Sequence, residues 1–174
     1  MRRVSIDHVV RRALGGGAAE AAARAFLAAV AVLFSAGCVR DAESAIEARG
    51  AAVSYVLAEQ VERGPGTSVN LADLSPFRWD RMYLFGPRTP ATTVRDSVHV
   101  AWPGAAHVVG AATPDSVNLL VFVGGGQVLA VAAHPRRRGD FVPARVGRGY
   151  APAEALFVVD STSAGGAGIR RLLR

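Results

Sequence analysis

The sequence predicts an α+β fold in which one N-terminal amphipathic helix packs on a small, mainly antiparallel sheet. Three observations lead there. A helical repeat of apolar residues runs from 44 to 63 and stops at Gly64-Pro65-Gly66. Every later apolar run is short and β-prone. One pair of those runs, 117–123 and 127–132, is separated only by three glycines, Gly124 to Gly126. Strands gathered after a single long helix belong to α+β rather than to a βαβ repeat.

In the first helix Ile46, Val53, Val56, Leu57 and Val61 share one face, with Glu43, Glu47, Arg49, Glu59 and Arg63 mostly elsewhere. Ser44 and Glu47 have the spacing of a capping box, so the helix is expected to start at Ser44. Residues 69–74 read as a short strand or an extended lead-in. Arg81 to Phe85 is a β-prone run closed by Gly86-Pro87, and period-two alternation puts Arg81, Tyr83 and Phe85 on one face and Met82 and Leu84 on the other. Thr89-Pro90 reads as an N-cap with proline in the first helical position, opening a short helix toward Ser97. Val98–Trp102 and His107–Val109 read as short strands broken at Pro103-Gly104. In the hairpin the first strand is apolar without alternation, which places it centrally in a sheet covered on both faces, with the 44–63 helix as one cover. Arg136 to Asp140 is a polar, solvated loop, 155–159 a last strand, and 161–174 a flexible basic tail.

The chain has 174 residues, 51% of them hydrophobic and 20% charged, enough for one globular domain. Its net charge is +6, and all 20 basic residues are Arg. Half of that surplus lies in residues 1–37; the rest is a spread-out +3 over 137 residues. Such a distribution excludes a nucleic-acid footprint, so no nucleic-acid partner is expected.

Cys38 is the only cysteine. Before it come Arg2, Arg3, Arg11, Arg12 and Arg24, then an uncharged run from Ala25 to Val39 that is 15 residues long. At ~1.5 Å per residue a helix of that length covers ~22 Å, short of a ~30 Å hydrocarbon core but suited to a signal sequence. Ser35-Ala36-Gly37-Cys38 resembles the lipobox of bacterial prolipoproteins, with Ser35 where leucine is usual and a basic region of 24 residues whose length fits initiation further downstream. The resemblance implies that 1–37 is a cleaved signal peptide and that Cys38 is diacylated. Residues 38–43 are then a short tether, and 44–160 a single domain on the extracytoplasmic side of an envelope membrane. Two or three acyl chains anchor durably where one does not. Val39 rather than Asp after Cys38 leans toward the outer of two membranes.

Trp79-Asp80-Arg81-Met82-Tyr83-Leu84-Phe85-Gly86-Pro87-Arg88-Thr89 resembles a segment of small uncharacterised envelope lipoproteins, with Arg88 in place of an aromatic residue. The resemblance implies membership of that group and supplies no activity. The same segment holds the candidate ligand-binding residues: Trp79 and Tyr83 as a stacking wall, Asp80 and Arg88 orienting a polar ligand. The plainer reading buries Trp79 and Phe85 and makes Asp80 a turn cap. His99, His107 and His134 have no local metal-ligand spacing, no serine sits in a nucleophile elbow, and Gly124-Gly125-Gly126 lacks the Lys-Ser/Thr of a phosphate loop. No metal, cofactor or catalytic residue is therefore assigned. The expected role is non-catalytic: capture of an envelope protein or small polar ligand. One rival is a hydrolase or transferase pairing His99, His107 or His134 with Asp96 or Asp115. Another is an accessory subunit, which would show a large exposed apolar patch.

Overall fold

A computed structural model of the chain describes residues 41–102, 104–105, 109–110, 112–141, 149–161 and 167–171. The chain divides into two units, Met1–Ala42 and Glu43–Arg174, and the architecture below is that of the second. Cys38 and His107 lie outside the described residues, as do the signal-peptide segment and residues 38–40 of the tether.

The fold is α+β, with a long N-terminal helix on sheet and two four-stranded, mostly antiparallel sheets. Residues 41–62 form α1. β1 (Ser68–Asn70) leads into the one-turn helix α2 (Leu71–Leu74), then β2 (Arg81–Phe85) and α3 (Ala91–Val98). β3 (Val117–Gly124) and β4 (Gln127–Pro135) form the hairpin. β5 (Asp140–Phe141), β6 (Gly149–Tyr150), β7 (Leu156–Asp160) and β8 (Gly168–Arg171) complete the sheets. One sheet has the order β1-β7-β8-β5, the other β4-β3-β2-β6; β5 and β8 are the parallel pair.

The hairpin follows from its sequence. Gly125 and Gly126 occupy positive φ, 58° and 74°, which a two-residue primed turn demands at both central positions. β3 lies between β4 and β2 and is buried from Asn118 to Gly124. Its alternate residues serve two cores, as an uninterrupted apolar strand must. Leu120 and Phe122 join Val53, Leu57 and Val61 of α1, Met82 and Leu84 of β2, and Phe157 and Ile169 of the other sheet. Leu119, Val121 and Val123 face the opposite way, packing with Phe85, Val131 and the Val94 and Val98 side of α3.

α1 crosses the edge strand β4 at Gly50. A Cβ there would overlap the Val131 carbonyl oxygen and lie 2.7 Å from the Ala132 nitrogen. On one side of the crossing Ile46 packs on the second core; on the other, Val53 and Leu57 enter the first. Glycine inside a helix costs ~1 kcal/mol relative to alanine, and here it is what lets the two backbones touch. The crossing also covers a strand edge that would otherwise be open to pairing.

Several local expectations are corrected. Residues 41–43 are already helical, so Ser44 is inside α1 and does not cap it. Residues 69–74 are split, because Asn70 ends β1 and its side chain accepts from Ala72 N–H to start α2. Thr89 does not cap α3: its hydroxyl donates to the Gly86 carbonyl (2.8 Å), and the helix begins beyond Pro90. Residues 98–102 form no strand, since Val98 closes α3 and His99 turns the chain at φ 54°. Ala105 and Val109 are helical, not part of a strand.

The tail is corrected in part as well. Residues 168–171, placed in a flexible basic tail, form β8, paired to β7 on one side and β5 on the other, so the folded body extends past 160. Ile169 is buried in the first core, and Arg170 reaches Asp160. One buried isoleucine in so short a strand is a weak signal beside two arginines.

Candidate functional site

The four sequence-selected residues do not form one site. Trp79 precedes β2 and is buried, 6% exposed, edge-on to Phe122 at 5.5 Å in the first core. Asp80 accepts a hydrogen bond from Gly125 N–H (2.9 Å), while its own N–H donates to the Val123 carbonyl, so its part is to pin the hairpin turn. Tyr83 points to the other face of the sheet, stacked on Phe85 at 6.4 Å beside the second core. Arg88 stands at positive φ in the turn after β2 and makes an exposed ion pair with Asp115 (3.4 Å). Trp79 and Tyr83 therefore cannot act as one stacking wall. The period-two pattern that separates Tyr83 and Phe85 from Met82 and Leu84 is the one observed.

What positions Arg88 is a buried polar knot. Thr113 Oγ1 donates to the Gly86 carbonyl (2.6 Å) and accepts from Thr89 N–H (2.7 Å), and Thr89 and Thr113 are also joined through their backbones. A Thr113→Val variant keeps the volume but leaves a buried N–H unanswered. It is expected to lose about 2 kcal/mol of stability, read as a lower urea midpoint.

Trp79 and Asp80 do border a groove of about 750 Å³, together with Ala72, Ser75, Pro76, Phe77, Arg78 and Pro152. Phe77 packs edge-on against Phe122 at 5.6 Å, so the groove stands on the first core. Its wall is apolar, and Arg78 and Asp80 supply one charge of each sign at the rim.

A second groove, about 590 Å³, runs where α1 meets β4, lined by Glu47, Ala51, Ser54, Tyr55, Val131, Ala133, Pro135 and Arg138. Tyr55 is the one large apolar side chain with most of its surface exposed among the described residues, 57%. Behind this groove lies a polar cluster that sequence reasoning missed. Ser54 Oγ is 2.8 Å from Nδ1 of His134, which is fully buried. Burial above all, with the Arg138 guanidinium adding to it, lowers the His134 pKa from 6.5 to about 4, against a partial opposing pull from the backbone polar groups of Arg138 and Ser54. His134 stands opposite Asn118 in the hairpin register. Asn118 Nδ2 donates to Asp140 Oδ1 (3.1 Å), and Arg136 clamps both Asp140 oxygens, at 2.9 and 2.8 Å.

The Arg136–Asp140 segment is thus no solvated loop. It is a tight turn whose Asp140 is 2% exposed. Two signals were there to find this cluster. Asn118 and His134 are the buried polar exceptions in two apolar strands, and Gly50 and Ser54 repeat at helical spacing on the buried side of α1. Their pairing was not legible, because it depends on strand register.

His99 and His134 make no hydrogen bond or ion pair with Asp96 or Asp115 among the described residues. No group of three or more His, Cys, Asp or Glu among the described residues is placed to hold a metal, and none of their helices is long and apolar enough to cross a membrane. Compared with known proteins, the chain matches no family model, no curated protein and no solved structure.

Proposed function

We propose that the chain is a lipid-anchored cell-envelope protein of the binding kind, held through acylated Cys38 and capturing an envelope protein or small polar ligand in a groove that does no catalysis itself. The groove beside Trp79 carries this reading. It is an open concavity of about 750 Å³ with an aromatic and proline wall and one charge of each sign at the rim, the usual mixture in a site that binds by burial and orients by a few polar groups. Of the four residues chosen from sequence, Trp79 and Asp80 remain in this reading; Tyr83 and Arg88 lie elsewhere and support the fold.

A photocrosslinking side chain in place of Arg78, in cells expressing the full chain, is expected to give discrete adducts that the same probe at Arg95 on α3 does not. Identical patterns from both positions would remove the groove from consideration. Replacing Cys38 with Ala tests the tether separately: the protein is expected to move from the membrane to the soluble fraction, and continued membrane association would end the lipid reading.

The hydrolase or transferase reading has one observation in its favour, the contact between Ser54 and His134. Its histidine then works with a serine rather than with Asp96 or Asp115. An accessory subunit has less behind it, because Tyr55 is isolated as a large exposed apolar residue among those described.

A further inference from the structure

The groove between α1 and β4 has a chemistry that ligand binding at Trp79 does not use. Ser54 lines it, and the Ser54 hydroxyl touches a ring nitrogen of His134 at 2.8 Å. If the serine donates, Nδ1 is the acceptor and the ring proton sits on Nε2, which is buried and has no hydrogen-bond partner among the described residues. This places a nucleophile and a base within hydrogen-bond reach, the pair that activates a hydroxyl, with the ring held by its edge-on packing against Phe141 rather than by a third polar group among the described residues. Arg138 also lines the groove. Its ion pair to Glu62 at 3.2 Å is exposed and so weakly held, which leaves the guanidinium able to turn toward an oxyanion.

We infer that Ser54 is a nucleophile, with His134 as its base, that takes acyl groups from activated esters and thioesters entering this groove. Ser54 Oγ attacks the acyl carbon as its proton passes to His134 Nδ1, and the carbonyl oxygen gathers charge beside Arg138. Collapse breaks the bond to the leaving oxygen or sulfur, which departs with the proton from Nδ1, and Ser54 is left as an ester. A histidine kept neutral by burial always has its lone pair available near neutral pH, yet it is a weak base. The site is therefore suited to donors with good leaving groups and not to ordinary amides. Asp140, the nearby carboxylate, is held by Arg136 and Asn118 and takes no part. This activity goes beyond the binding reading and stands or falls independently of the Trp79 groove.

The test is acylation of the full-length, detergent-solubilised protein by p-nitrophenyl butyrate, with acid-quenched samples mapped by mass spectrometry. Ser97 on α3, whose hydroxyl donates to the Thr93 carbonyl, is the internal reference. Butyryl is expected on Ser54 at least ~10-fold faster than on Ser97, as befits base assistance. It should be absent from Ser54→Ala with the Ser97 background unchanged, and slowed to that background in folded His134→Gln. Equal rates at Ser54 and Ser97, or an unchanged rate in His134→Gln, would overturn the proposal. Should His134→Gln fail to fold, the wild-type pH profile decides. A rate flat between pH 6 and 8 marks a base already neutral, whereas a rise of ~10-fold per pH unit marks hydroxide-driven chemistry and refutes it.

Discussion

Gly50→Ala is expected to destabilise the fold by about 3 kcal/mol or more, one of the largest effects any single methyl group could have in this chain. The added carbon would overlap the Val131 carbonyl oxygen and crowd the Ala132 nitrogen at 2.7 Å, and both belong to the backbone of β4. A strand hydrogen-bonded to β3 along its length cannot retreat locally, so α1 must lift. Lifting α1 withdraws Val53, Leu57 and Val61 from the first core and Ile46 from the second. Overpacking a well-filled interior costs ~1–3 kcal/mol when side chains can adjust, and here the obstacle is main chain. Alanine's better helix propensity, ~1 kcal/mol, offsets only part of this. Gly104→Ala provides the contrast, because the atoms nearest its new Cβ belong to the Glu43 side chain, carboxylate first, which is long and movable. That variant should stay within ~0.5 kcal/mol of wild type. Urea unfolding of both variants is the measurement, and a Gly50→Ala midpoint equal to wild type would mean that α1 does not rest on β4.

How much of this was legible depended on the range of the signal. The helix of 44–63, the Gly-rich hairpin and the alternation in 81–85 are local patterns, and each is present. The strong apolar run of 117–123 even implied its own central position, because only a strand covered on both faces has no polar side. Expectations failed where a short-range preference met a longer-range partner. Thr89 has the chemistry of an N-cap, but Gly86 and Thr113 claim it. Val98–Trp102 has strand composition, but Val98 is needed in the second core as the end of α3. Arg170 and Arg171 read as tail, but Ile169 between two other strands fixes them.

The candidate sites follow the same rule. Trp79 and Tyr83 are four residues apart, yet lie on opposite sides of one sheet. Ser54 and His134, 80 positions apart, touch because α1 crosses β4 one turn earlier, at Gly50.

Mild acid is expected to remove about 3 kcal/mol of stability, and His134 is the reason. Its folded pKa of about 4 lies below the ordinary 6.5 because burial opposes the charged ring. Between these values the unfolded chain binds the proton and the folded one does not. The unfolded state therefore holds more protons, and stability falls as pH is lowered from 6.5 toward 4. Above 6.5 both states are neutral and nothing is lost; below 4 both are charged and the deficit stops growing. A gap of roughly 2.5 units at ~1.4 kcal/mol each gives that ~3 kcal/mol. The local geometry explains why the folded state resists the proton. With Nδ1 as the acceptor of the neutral ring, charging it makes that nitrogen a donor, so Ser54 must reverse its hydroxyl in a packed helix–strand contact. Arg138 adds repulsion, and Asp140, which could have compensated, already answers Arg136 and Asn118. Since ordinary carboxylates titrate mostly below pH 5, the loss between pH 6.5 and 5 isolates the histidine. A folded His134→Gln variant should be nearly flat there while wild type declines. A wild-type stability unchanged over that interval, or a ring resonance of His134 titrating near 6.5 in the folded protein, would contradict a neutral buried imidazole at the crossing of α1 and β4.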